Sequence, residues 1–268
     1  MTAAEVKILF GENEYHTPKN QKRDFGDKLF MGSRWYFVWE YAKIVLRTRK
    51  EAQAGIYDDN KWIESSHDIF HVAERCGAKM HIYGLDNLRK SNEPVVIISN
   101  HMSTLETMIF PCLITPFMRL TFVMKKSLVE HYFVREVMRS REPIVVSRVN
   151  PRDDFNLVME QGYEILKQGK SIVIFPQTTR KTIFKPEDFN TLGVKLAKKA
   201  GVKVIPVAIK TDFWENGKGL LKDLGPINRK KPVYIKFGEP IEIKSNGKEE
   251  NKQVIDFIAT NLKKWDNL

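Results

Sequence analysis

From Gly77 onward, short apolar runs rich in branched residues alternate with polar stretches of helical length. A sheet covered by helices accommodates that alternation, because each run is strand-length and each intervening stretch supplies an amphipathic cover. The runs are Val95 to Ile98, Leu120 to Met124, Ile144 to Val146, Ile172 to Phe175, Val202 to Ile209 and Val233 to Phe237. Between them the pattern predicts helices over Thr104 to Phe110, Tyr132 to Met138, Asp153 to Lys167 and Pro186 to Ala200, with a closing helix from about Glu249 to Trp265. The expected fold is α/β: a single mixed, largely parallel sheet over residues 77–268, preceded by an N-terminal helical appendage over residues 1–76.

Within the appendage residues 1–25 read as irregular, and helices are expected from Lys28 to Lys50 and from Asp58 to Cys76. Wound as a helix, the first segment gathers Gly32, Ser33, Glu40, Lys43 and Arg47 on one side, while Trp35, Phe37 and Trp39 lie on a wide apolar face. Both a helix at a membrane interface and a helix packed on the core carry this pattern. The interfacial reading assigns docking to Trp35, Phe37 and Trp39, joined by an exposed Phe213 and Trp214.

Hydrophobic residues make up 42% of the chain, enough for a core, and this excludes disordered and collagen-like classes. The 44 Lys and Arg against 33 Asp and Glu leave a net charge of +11, which favours anionic partners. Cys76 and Cys112 fall in no metal-type spacing, which suits a reducing compartment and the cytoplasmic side of a membrane. Glu5, Lys7, Glu12 and Glu14 interrupt the apolar run that a secretion signal would need. The longest charge-free stretches, such as Thr107 to Met118, are too short to span a bilayer, so membrane contact is expected to be peripheral.

Several motifs fail on chemistry. Gly169-Lys170-Ser171 lacks the first glycine of a phosphate loop, since Glu164 stands there. His67 and His71 sit one helical turn apart with no third ligand evident, so no metal is expected. No GxSxG frame occurs, which leaves covalent serine catalysis without a nucleophile.

The informative block is Asn100-His101-Met102-Ser103-Thr104-Leu105-Glu106, directly after a predicted strand. Residues five apart on a helix lie about 140° apart, so His101 and Glu106 can meet only across a turn. If the helix begins near Thr104, the loop folds His101 back over its first turn. Glu106 can then orient one ring nitrogen while the other faces the open end of the sheet as a base. Ser103-x-x-Glu106 is also a capping box, which would explain Glu106 without catalysis.

This His-x4-acid block is followed by Phe175-Pro176-Gln177-Thr178-Thr179-Arg180 and by Val204-Ile205-Pro206-Val207-Ala208-Ile209. Together they resemble the glycerophospholipid acyltransferase family, in which 1-acylglycerol-3-phosphate acyltransferases are best known. That family's intermediate Lys-x2-Leu-x6-Gly-x12-Arg spacing is matched by Lys125, Leu128 and Arg148, with Arg135 in place of the glycine. The resemblance covers roughly residues 95–210 and implies His101 as general base and Glu106 as its acidic partner. It implies Lys125, Arg148 and Arg180 as the holders of the acceptor's phosphate, and Gln177, Thr178 and Thr179 as the substrate loop. Glu106 stands where Asp is commoner, and Gln177-Thr178 stands where Glu-Gly is usual, which removes a carboxylate and a flexible residue.

The function expected from this resemblance is transfer of a fatty acyl group from a thioester, acyl-CoA or acyl carrier protein, to a lysophospholipid hydroxyl at an anionic membrane surface. Lysophosphatidic acid is the simplest acceptor; glycerol 3-phosphate, another lysolipid or a lipid A precursor are the alternatives. No cofactor is implied. A non-catalytic basic protein binding lipid or nucleic acid is the rival class, but the interleaved aromatic and basic strands of single-strand binders are missing, so no nucleic-acid partner is expected.

Overall fold

The computed structural model describes residues 1–267. Helix α1 (Ala3–Leu9), strand β1 (Glu14–His16), and helices α2 (Phe25–Leu29), α3 (Arg34–Gln53) and α4 (Asp59–Arg75) form the N-terminal part. Then come β2 (Met80–Tyr83), α5 (Asp86–Arg89), β3 (Val96–Ser99), α6 (Leu105–Ile114), β4 (Leu120–Lys125), α7 (Lys126–Val129) and α8 (Arg135–Ser140). The chain closes with β5 (Ile144–Val146), α9 (Pro151–Lys167), β6 (Ser171–Ile174), α10 (Leu192–Ala200), β7 (Val204–Lys210), β8 (Val233–Phe237) and α11 (Lys248–Asp266).

All eight strands join one sheet in the order β1-β2-β8-β7-β3-β6-β4-β5. Strands β7, β3, β6, β4 and β5 run parallel to one another, whereas β8 is antiparallel to β7 and β1 to β2. The fold is therefore α/β with a mixed, mostly parallel sheet. Every residue of β3 and β6 is buried, as helices on both faces of a parallel sheet require. The parallel run brings five carboxyl ends to one edge, the place where open parallel sheets bind ligands.

Three local expectations need correction. Residues 1–25 are not irregular: a Thr2–Glu5 capping box starts α1, and β1 pairs with β2 at the sheet's edge. The aromatic helix starts at Arg34, not Lys28, because Met31 and Gly32 both adopt positive φ (53° and 66°) and turn the chain between α2 and α3. Helix α6 runs past Pro111 to Ile114, although a proline normally breaks a helix interior. The hydroxyl of Ser66, on α4, enters the opened turn: it donates to the Met108 carbonyl at 2.7 Å and accepts from the Cys112 amide at 2.9 Å.

Helix α3 seats its apolar side chains on the domain through the face that carries Phe37, Ile44 and Thr48, with Arg47 and Arg49 paired to Asp68 and Glu136. Phe37 is fully buried with its ring 4.8 Å from that of Trp214, and Tyr41 packs on the same indole at 5.3 Å. Phe213 and Trp214 are likewise buried, so neither they nor Phe37 can meet a membrane, contrary to the sequence expectation. Trp35 and Trp39, one turn apart on the opposite face, stay exposed. Among the described residues no helix is long and apolar enough to cross a membrane.

Candidate active site

Strand β3 ends at Ser99, and the chain then needs a sharp loop before α6 starts at Leu105. Asn100 holds the start of that loop with its side chain: Nδ2 donates to the Ile209 backbone carbonyl and Oδ1 accepts from the Ile209 backbone amide, both at 2.9 Å. His101 follows, its backbone N–H donating to Gln177 Oε1 at 2.9 Å and its carbonyl accepting from the Lys181 amide at 2.8 Å. The imidazole stacks on Phe175, with ring centroids 4.3 Å apart. Its Nδ1 lies 2.8 Å from Glu106 Oε1. Nε2 has no protein partner among the described residues and is not sealed from solvent.

Glu106 is fully buried, and a buried carboxylate is stable only when its oxygens are satisfied. Besides the ring, it accepts from the Met102 amide at 2.7 Å, the Ser103 amide at 2.9 Å, the Ser103 hydroxyl at 2.9 Å and the Thr211 hydroxyl at 2.6 Å. The capping and orienting readings are thus both occupied: Glu106 reaches back to the Ser103 amide, as in a capping box, and also grips His101. Burial alone would raise the Glu106 pKa. The hydrogen bond and charge of His101, the Thr211 hydroxyl and the backbone donors outweigh burial, and the net shift is downward from 4.5. An ionised Glu106 can only accept, so Nδ1 carries a proton, and in the neutral ring the lone pair is then on Nε2.

Of the expected phosphate ligands, the structure brings Arg180 against the dyad's helix and spreads the others along the edge. Arg180 Nη1 donates to the Thr104 hydroxyl, and Nη2 to Asp223 Oδ1 at 2.5 Å. Lys125, exposed, ends β4, and Arg148 follows β5. These strands lie two and three places from β3, about 10 and 15 Å away at ordinary strand spacing. Arg148 is exposed with φ 60°, its amide held by Asp154 Oδ2 at 2.7 Å.

The substrate loop divides. Gln177 is buried and braces His101, which corrects its expected place facing the acceptor, and its Nε2 has no hydrogen-bond partner among the described residues. Thr178 and Thr179 are exposed, and Thr178 sits at φ 60°, a strained region for a branched residue. Sequence reasoning missed Thr211, Asn216, whose side-chain amide donates to the Met102 carbonyl at 2.8 Å, and the platform role of Phe175. Only Phe175 carried a signal, its place in the third block. Elsewhere, His67 is held neutral by burial, its pKa lowered to about 4, and no group of three or more potential metal ligands converges among the described residues.

The arrangement is a strand-end histidine oriented by a buried carboxylate, with an arginine against the same loop, a geometry in which an unpartnered ring nitrogen can accept a proton. Residues 79–210, just under half of the chain, match the family model described as Acyltransferase. The particular relatives are 1-acyl-sn-glycerol-3-phosphate acyltransferases. The one from Pseudomonas aeruginosa is 33% identical over 132 residues, 49% of each chain. A chloroplastic one from Arabidopsis thaliana is 29% identical over 49% of this chain and 36% of its own. A probable one from Mycoplasma pneumoniae is 27% identical over 62% of each. The matches to the first two thus span about half or less of those relatives. The crystal structure of the 1-acyl-sn-glycerophosphate acyltransferase PlsC from Thermotoga maritima shares the fold, with a TM-score of 0.62 at 17% identity over 89% of this chain and 95% of that one.

Proposed function

We propose that the protein transfers a fatty acyl group from an acyl thioester to the free hydroxyl of a lysophospholipid, most simply lysophosphatidic acid. The observation that carries this reading is the His101 ring held by Glu106 at 2.8 Å with Nε2 left open. Nε2 removes the hydroxyl proton as the oxygen attacks the thioester carbon. The tetrahedral intermediate then collapses, and the departing thiolate takes the proton back from the imidazolium that Glu106 has stabilised. An ester and a free thiol result, and no covalent enzyme intermediate is needed. The test is thiol release from acyl-CoA and from acyl carrier protein across a panel of lysophosphatidic acid, glycerol 3-phosphate and other lysolipids, with mass identification of the ester. Absence of thioester-dependent ester product from every acceptor ends the proposal.

Arg180, with Lys125 and Arg148 further along the edge, grips the acceptor's phosphate, since a guanidinium matches phosphate oxygens in a bidentate fork. Arg180→Ala is expected to raise acceptor KM about 10- to 150-fold, the loss of one charged hydrogen bond. Arg148→Ala and Lys125→Ala shift it in the same direction. Acceptor KM unchanged in all three removes the phosphate assignment.

The enzyme works at an anionic membrane surface, on its cytoplasmic side, docked through α3 and the turn before it. Support comes from the exposed apolar side chains of Phe25, Met31, Trp35 and Trp39, which are 80%, 93%, 50% and 62% exposed. They sit on a chain of net charge +11. Trp35→Glu with Trp39→Glu should abolish most flotation with phosphatidylglycerol vesicles while leaving the unfolding midpoint near wild type. Undiminished flotation counts against α3 as the dock.

A further inference from the structure

We propose that Asp223 is an internal anion that occupies Arg180 in the free enzyme and exchanges with the acceptor's phosphate, so that it sets acceptor affinity and product release. This rests on the phosphate role of Arg180 proposed above. Among the three basic residues of that reading, only Arg180 has an acidic side-chain partner among the described residues.

Asp223 is delivered to Arg180 by the excursion between β7 and β8. Its base is rigid: Phe213 and Trp214 are buried, Trp214 bridges to Ile227, and Asn216 ties to the Met102 carbonyl inside the histidine loop. Gly225 lets the two arms close, because a Cβ there would lie 1.9 Å from the Glu215 carbonyl oxygen. The tip beyond them turns back on itself, with the Gly217 amide donating to the Lys222 carbonyl at 3.0 Å, and places Asp223 over the guanidinium.

The pairing has the character of a reversible contact. Its geometry is one-toothed, Nη2 to Oδ1 at 2.5 Å, whereas a phosphomonoester can take two donors at once and carries more charge. The Asp223 side chain is 50% exposed, so water accepts the displaced carboxylate at little cost. Nη1 remains anchored on Thr104 throughout, which keeps the guanidinium beside the loop that carries His101. The acylated product bears the same phosphate as the acceptor, so the returning carboxylate also helps to expel it. Asp223 acts through Arg180 and is a positioning residue.

Asp223→Asn should lower KM for lysophosphatidic acid about two- to fivefold, the range an exposed ion pair commands. It should lower the inhibition constant of phosphatidic acid in parallel, leave KM for a phosphate-free monoacylglycerol unchanged, and be reversed by Asp223→Glu. In an Arg180→Ala background the effect of Asp223→Asn should vanish. An unchanged or raised KM for lysophosphatidic acid in a well-folded Asp223→Asn enzyme, or an equal change with monoacylglycerol, overturns the exchange. Wild-type turnover is the separate readout for the reading beneath it. If the wild type acylates no acceptor, that reading fails, while calorimetric titration with inorganic phosphate still tests Asp223: tighter binding by Asp223→Asn supports the exchange, and equal or weaker binding refutes it.

Discussion

His101→Ala should lower turnover about 10²- to 10⁴-fold with little loss of stability, because removing a positioned base costs that much of a proton-transfer step. The side chain is 17% exposed and contributes one stacking contact, on Phe175, so the variant should stay folded. The kinetic signature matters as much as the size. In the proposed reaction Nε2 acts on the hydroxyl proton only as the bond forms, so kcat should carry the loss and acceptor KM should move little. Thioester consumption in single-turnover mode reads this without interference from product release. A variant with turnover close to wild type removes His101 from the chemistry, whatever the geometry.

Glu106 is expected to matter for both rate and fold, and the two roles separate by substitution. Glu106→Gln keeps most of the volume but removes the charge that stabilises the imidazolium in the proposed reaction, and should cost about 10²-fold or more in kcat. Glu106→Ala also strips acceptors from the buried Met102 and Ser103 amides and the Thr211 hydroxyl, and should destabilise the fold by about 3 kcal/mol or more. The pH dependence follows from the lowered carboxyl pKa. A carboxylate with a depressed folded pKa contributes stability above its unfolded value, near 4.5, and loses it as pH falls through the folded one. The gap in unfolding free energy between wild type and Glu106→Gln should therefore be widest at neutral pH and narrow progressively as pH falls below about 4.5. Denaturant titrations from pH 7 downward measure it, and a gap independent of pH contradicts an ionised Glu106.

Much of the architecture was legible in the sequence because β3, β6 and β7 are buried on both faces. Such strands must be continuous apolar runs, and runs of this kind stand out. Strands β1 and β2 did not stand out: with three and four residues at the sheet's edge they carry too little pattern, and their partners are supplied by distant chain. Trp35 and Phe37 look alike in sequence, but a two-residue step is about 200° around a helix. Only the buried Trp214 determines which of them faces inward.

The candidate site divides along the same line. His101, Ser103 and Glu106 are local, linked by a turn whose possible closures can be enumerated from helical geometry, so their association could be read before any coordinates. Thr211, Asn216 and Asp223 reach the same place from more than a hundred residues away in the chain, or from across the sheet edge. Sequence alone thus determined the alternation that builds the sheet and the short block that can form a base, since both depend on neighbours in the chain. What satisfies that carboxylate and what sits on Arg180 were decided by the order in which parallel strands lie side by side. That order follows from burial across the whole core and leaves no trace in local spacing.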